Sequence, residues 1–304
     1  MATLDPGGAL DPGRPLTDIS GNLRRRKRVD RLMRGSSTAA AVLAVAILAI
    51  VIGTVVGHGA SQISLSFLTK DPAVGLGATG GGIADAIVGS GLIVAVATAM
   101  AVPLGVLIAI YQTEFATPRT RRPIRLALDL LNGMPSIVIA VFVFGLLVEG
   151  HQETGFAASF ALAIIMVPLI ARTTSEMLLL VPAELRDASY ALGISRWRTV
   201  IGIVLPSALG GTLTGVVLAV ARAAGETAPV LLLCGIFNNS TSVDVFGTAL
   251  PNIPVMIFTD SETGLPADQA RAWGAALVLV AFILVGNLAA RTMLARQRRR
   301  ILSR

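Results

Sequence analysis

Apolar residues come in long unbroken runs along this chain, separated by shorter stretches where charge, glycine and proline collect. Runs of about 18 residues or more are long enough to cross a bilayer as helices and too long for strands. Six such runs are legible, at residues 38–56, 83–110, 124–148, 156–180, 207–233 and 272–292. The expected architecture is therefore an all-α membrane protein with six transmembrane helices. Residues 1–23 are polar and rich in Gly, Pro and Asp, a composition expected to stay disordered. The basic run RRRKRVDRLMR follows at 24–34, and the first apolar run then lies too deep in the chain for a secretory signal. The chain divides accordingly into a basic, disordered tail (1–36), an uncleaved anchor helix (37–57), a five-helix body (81–292) with a non-spanning stretch at 182–206, and a basic tail (293–304).

Composition agrees with this class. Of 304 residues 54% are hydrophobic and only 14% charged, against about 25% charged in soluble domains. A single cysteine, Cys234, excludes an internal disulfide framework and any multi-cysteine metal site and reads as a small packing residue. His58 and His151 fall at span edges and read as lone solvated side chains. The formal charge of +7 suggests nucleic acid until the positions are read. The two ends of the chain and the 111–123 and 182–206 loops hold nearly all the arginines, while the other three loops are net acidic with Lys70 and Arg271 as their bases. That alternation follows the positive-inside rule, so both termini are expected in the cytoplasm, and the basic clusters serve orientation and contact with anionic lipid, not nucleic acid.

Against that apolar background the pair Arg222 and Glu226 stands out. A charge at the bilayer centre costs about 2.5–3.5 kcal/mol on insertion scales, and persists where it faces protein or a water-filled path. Four residues apart on one helix, the two side chains share a side. Gly211, Gly215, Ala219 and Ala223 form a small-residue stripe of the kind that lets membrane helices approach closely, which puts the pair at the border of a packed face. Arg172 and Glu176 repeat the spacing in the fourth run. Each pair has two readings, a station for an anion on a path or an intrahelical ion pair that fixes packing. Pro135 and Ser136, inside the third run, read as a kink that is either a flexing point near a path or a packing feature. Asp129 reads as a polar contact at the start of that helix or between subunits.

The 182–206 stretch, PAELRDASYALGISRWRTVIGIVLP, is too polar to span. Asp187, Ala188, Tyr190, Ala191 and Ile194 are spaced for a short amphipathic helix, Gly193 for a turn, and a second short piece over 197–205 leads to Pro206 as the start of the next span. A protruding helix pair of this kind suits a groove on a soluble partner; Trp197 and Arg198 equally suit a helix lying on lipid.

Several of these stretches carry a family resemblance. Asp187-Ala188-Ser189, then Gly193, then Ile203-Val204-Leu205-Pro206 is similar to the E-A-A, G, I-x-L-P pattern of permease subunits of binding-protein-dependent ABC importers, departing at Asp187 and Ser189. GGIADAIVGS (81–90), AVPLGVLIAIYQTEFA (101–116), LNGMPSIVIAVF (131–142), VPLIARTTSEMLLLVPAELRDAS (167–189) and ARAAGETAPVLL (221–232) resemble the PstA-type permeases of phosphate importers. Gln112, Asn132 and Met134 depart from that family's usual residues.

The resemblance implies the type I ABC importer (MetI-like) permease fold, with a cytoplasmic coupling helix in which Glu184, Asp187, Ala188, Gly193, Leu205 and Pro206 meet an ATPase. It implies a PstC-type sister permease, a PstB-type ATPase dimer, a PstS-type phosphate-binding protein, and inorganic phosphate as the passenger in a bacterial cytoplasmic membrane. Arg222, Glu226, Arg172 and Glu176 would then line the path, a guanidinium fork being the strong ligand for a tetrahedral oxyanion. The chain has no GxxxxGK[ST] loop, so ATP and Mg are expected on the partner ATPase and no cofactor on this subunit. Two competing readings stand beside this one: a permease for sulfate, molybdate or phosphonate, and a scaffold that signals phosphate status without transporting it.

Overall fold

The computed structural model describes residues 21–302 apart from 74, 76 and 236–240. The expectation of disorder over 1–20 lies outside the described residues. Apart from an isolated antiparallel bridge between Pro72 and Gly81, the regular structure among the described residues is helical. Five helices there are long and apolar enough to cross a membrane, or six if one sharply bent pair counts as a span.

The chain falls into two units, residues 1–54 and 55–304. The described part of the first belongs to α1 (Gly21–Gly59). The basic segment expected to be part of a disordered tail is helical from Gly21 onward, because Arg and Lys are good helix formers and an Asp30–Arg34 ion pair lies one turn apart on its surface.

In the second unit, His58 at the end of α1 is exposed as expected but not alone: it stacks on Trp273, with ring centroids 4.9 Å apart. The short α2 (Leu65–Thr69) is capped by Ser64, whose Oγ accepts from Phe67 N. The second span, α3 (Ala84–Ile110), ends in a π-helical turn over Tyr111–Phe115. It packs along α6 (Gly155–Leu179), the most buried span, around Ile93, Leu162, Met166 and Ile170.

The third apolar run is not one kinked helix. It forms α4 (Pro118–Gly133) and α5 (Ser136–Val143), the latter extended by a π turn over Phe144–Val148, and the two halves bend by 99°. Pro135 lacks an N–H and drives the residue before it out of the helical region, so Met134 sits at φ −72°, ψ 138° and the helix stops.

The 182–206 stretch holds α7 (Ala183–Ala191) and α8 (Arg196–Thr199). Here Pro206 does not start a span. The chain is continuously helical from Arg196 to Ala224, passing through a π segment over Val200–Val204 into α9 (Leu205–Ala224). A π turn widens the helix one turn ahead of the proline, where its ring would otherwise meet a carbonyl.

The fifth run also divides. α9 ends at Ala224 and α10 (Ala228–Cys234) follows after Gly225–Thr227. α10 packs on α5 and α6, and Cys234 is a buried packing residue, as expected, its thiol donating to Leu250 O at 3.3 Å. Beyond the undescribed 236–240, α11 (Ile253–Glu262) is capped by Asn252 and packs on α12 (Pro266–Leu302). α12 thus starts before the expected span and runs on through most of the basic tail. Asp260 and Asp268, two acids of the net acidic stretch before the sixth run, both hold Arg271, at 2.7 and 3.1 Å.

Candidate functional site

The small-residue stripe of α9 faces α6. A Cβ on Gly215 would meet Thr173 Oγ1 at 2.1 Å, and one on Gly211 would meet Met177 Sδ at 1.9 Å. Ala219 and Ala223 are buried on the same face. These contacts also set the register of two antiparallel helices, residue 215 opposite 173 and 211 opposite 177. Arg222 is then level with Met166, and Arg172 level with Val216. At 1.5 Å per residue, Arg222 sits about 9 Å further from the 182–206 loop than Arg172 does.

Arg222 Nε lies 3.3 Å from Glu226 Oε1. The expected geometry, two residues on one continuous helix, is not what joins them. Arg222 is in the last turn of α9 and Glu226 in the break before α10. Gly225 N bonds back to Arg222 O, and Glu226 N to Ala223 O, closing the helix end. The pair is unequally covered, the carboxylate 19% and the guanidinium 43% exposed. The Arg222 side chain is therefore left partly open, beside the packed stripe. Broken helices at the heart of a membrane bundle are where transporters place substrate sites, because the loose ends present polar groups where a continuous helix would present none.

Arg172 and Glu176 form a second pair at 3.3 Å, more than half exposed on both sides (64% and 58%). They line a cleft of about 530 Å³ between the end of α3, α4 and the second half of α6. Arg125, Asp129, Asn132, Ser175 and Gln112 face the same cleft. Gln112 Nε2 and Ser175 Oγ are buried there without a hydrogen-bond partner. The cleft thus brings two arginines and two carboxylates to one polar opening, and it gives Asp129 a setting within its own chain. Pro135 and Ser136 are not among its lining residues; they form the bend between α4 and α5.

On the 182–206 loop, Glu184, Asp187, Ala188 and Gly193 are exposed, together with Leu185, Tyr190 and Leu192. Gly193 has φ +74°, a left-handed conformation strained for a residue with a Cβ, and closes the turn after α7. Ser189 and Thr199 hydroxyls meet at 2.7 Å, fastening α7 to the end of α8. Leu205 is partly buried against Ala208 and its neighbours, and Pro206 is exposed on the helix surface.

One buried contact was not expected. Arg186 Nη2 donates to Glu114 Oε1 at 2.8 Å, and its Nε lies 3.3 and 3.4 Å from the two carboxylate oxygens. The side chains are 18% and 6% exposed. The same guanidinium donates to Leu178 O at 2.9 Å and Val181 O at 2.7 Å, satisfying carbonyls at the end of α6. Glu114 is the lone acid at the end of an apolar run, a signal the sequence carried, but its partner is 72 positions away.

This bundle, with a helical loop projecting between two spans, is the architecture of an importer's membrane subunit, and comparison with known proteins agrees. Residues 101–303 match the family described as binding-protein-dependent transport system inner membrane component. Solved permeases share the fold: an alginate ABC transporter matches with a TM-score of 0.64 at 14% identity over 90% of this chain and 98% of that one. The MetNI methionine ABC transporter matches at 0.55 with 18% identity, over 70% and 93%.

Among curated relatives, the phosphate transport system permease protein PstA 1 of Mycobacterium tuberculosis is 43% identical over 225 residues, 73% of each chain. PstA of Pasteurella multocida is 37% identical over 269 residues, 88% of this chain and 94% of its own. The chain belongs to the PstA-type permease family of ABC importers.

Proposed function

We propose that this chain is the PstA-type half of the membrane path of an ATP-driven phosphate importer, paired with a PstC-type sister permease. The observation that supports this best is the guanidinium of Arg222, which its own chain covers only in part and which a carboxylate holds at 3.3 Å beside a helix break. An oxyanion arriving at that surface finds a planar donor fork already oriented. Glu226 competes for the same donors, which keeps the anion's stay short, as conduction requires. The cleft with Arg172 and Glu176 lies about 9 Å nearer the 182–206 loop and serves as the next station.

The exposed face of α7, with Glu184, Asp187, Ala188 and Gly193, docks a PstB-type ATPase dimer, which binds the ATP and Mg. A PstS-type protein delivers phosphate at the opposite face. The 182–206 loop and both termini face the cytoplasm of a bacterial cell, the arrangement in which the arginine-rich loops stay inside.

The test is uptake of labelled phosphate by the four-component complex in proteoliposomes, with sulfate, molybdate and phosphonate as competitors. ATP-dependent uptake displaced by phosphate and not by the others supports the reading. Preferential displacement by another oxyanion reassigns the substrate. An assembled complex that responds to loaded binding protein without moving any anion leaves the signalling scaffold instead.

A further inference from the structure

We propose that Glu114 and Arg186 form the joint through which movement of the 182–206 loop enters the second span, with Phe115 as its second point of grip. The proposal rests on the reading that this loop docks an ATPase.

Covalently, the loop is attached to α6 and to the helix that continues into α9, and to nothing else. The attachment to α6 passes through Leu180–Pro182, where Pro182 at ψ 140° leaves the helical region, so a push on α7 could be absorbed there. The structure adds a third attachment that skips the chain. Arg186, inside α7, spends its donors on Glu114 at the end of the second span and on the Leu178 and Val181 carbonyls at the end of the fourth. One guanidinium therefore locks three elements together in a site from which water is largely excluded. Next to Glu114, Phe115 lies under the Arg196 guanidinium, 5.1 Å from its ring centroid, and beside Trp197 at 6.0 Å. The end of the second span thus holds α7 through a charge and α8 through a ring. The Ser189–Thr199 contact at 2.7 Å ties these two pieces of the loop to each other.

A loop braced in this way moves as one body with the end of α3. Displacement of α7 is then carried into α3, which packs along α6 from end to end, as well as into the spans to which the loop is covalently joined. The π-helical turn that carries both residues, Tyr111–Phe115, adds one residue per turn to an α-helix and so rotates Glu114 and Phe115 onto the loop side. Glu114 and Arg186 act here as positioning residues, since neither touches the passenger in this scheme.

The experiment uses the complete complex in proteoliposomes and reads three quantities: ATPase bound per permease, hydrolysis stimulated by loaded binding protein, and phosphate moved per ATP. Glu114→Gln keeps the shape and removes the charge. We expect it to retain the ATPase while phosphate moved per ATP falls by about tenfold, within the range typical of coupling between sites. Phe115→Leu should show a smaller loss of the same kind. The double variant E114C/R186C, built on Cys234→Ser so that this chain carries no other thiol, should be uncoupled when reduced and regain coupling when a short thiol-reactive linker bridges the two positions. A Glu114→Gln complex with wild-type phosphate per ATP overturns the joint, as does a bridged double variant that stays uncoupled. If neither variant assembles, the pair is a folding contact and the proposal falls. A wild-type complex that binds no ATPase through this loop refutes the docking reading itself, which is a separate outcome.

Discussion

Arg222 Nε lies 3.3 Å from Glu226 Oε1 across the end of a helix, one partner in its last turn and the other beyond its stop. The pairing survives the break because Gly225 and Glu226 fold back onto the helix end through their own backbone N–H groups.

Arg222→Ala should cut phosphate uptake by roughly 10- to 100-fold, equivalent to losing charge-assisted hydrogen bonds worth about 1.5–3 kcal/mol. Assembly with the ATPase should persist, because the side chain is 43% exposed and leaves no buried hole. Arg222→Lys, which keeps the charge and loses the fork, should fall between. Uptake and co-purification from the same preparation check all three; normal transport by Arg222→Ala would remove this residue from the path.

Gly215→Ala should destabilise the chain by about 1–3 kcal/mol, as overpacking of a close helix contact does, because its Cβ would stand 2.1 Å from Thr173 Oγ1. Adding Thr173→Ala should recover part of this and no more, since the Thr173 Cβ itself lies at 2.6 Å. Thermal melting of the four members of this double-mutant cycle in detergent measures the coupling. Strict additivity would mean that α6 and α9 do not meet here.

Replacing Gly193 separates backbone geometry from side-chain chemistry. At φ +74° asparagine is tolerated far better than a β-branched residue. Gly193→Asn should keep most ATPase binding, and Gly193→Val should lose about tenfold, the equivalent of the roughly 1–2 kcal/mol of left-handed strain. Equal affinity for both variants, measured by titration of the ATPase, would show that the turn does not shape the docking face.

Arg172→Ala should leave the melting temperature almost unchanged, because an ion pair more than half exposed on both sides contributes no more than about 0.5 kcal/mol. Its effect should appear in uptake, and be smaller than that of Arg222→Ala. A large stability loss with normal uptake would make the pair a packing device.

The order of the apolar runs was legible because membrane crossing is a local property: about 20 apolar residues suffice, whatever the rest of the chain does, yet the third run counts as a span only as a pair of helices bent by 99°. The resemblance of the 182–206 stretch was legible for the same reason, its spacing being written within one short segment. The third and fifth runs and the place of Pro206 were misjudged, for composition alone neither distinguishes a proline that bends a helix from one that ends it nor shows the break at Gly225–Thr227. Met134 and Pro135 end theirs; Pro206 sits inside a continuous helix because the π segment before it widens.

Glu114 and Arg186 mark the limit of local reading. Each is visible as a charge near an apolar run, yet only folding places them 2.8 Å apart, and no spacing rule links positions so distant along the chain. The same holds for the cleft that gathers Gln112, Arg125 and Arg172 from three helices. The sequence by itself determined that this is a helical membrane protein with arginine–glutamate pairs at one-turn spacing in its apolar runs, because hydrophobic length and short spacings act between near neighbours, and its motifs carried the resemblance to importer permeases. Which charges are covered, which face outward and which tie the loop to the bundle was decided by tertiary packing, because burial of a side chain depends on what other segments bring against it.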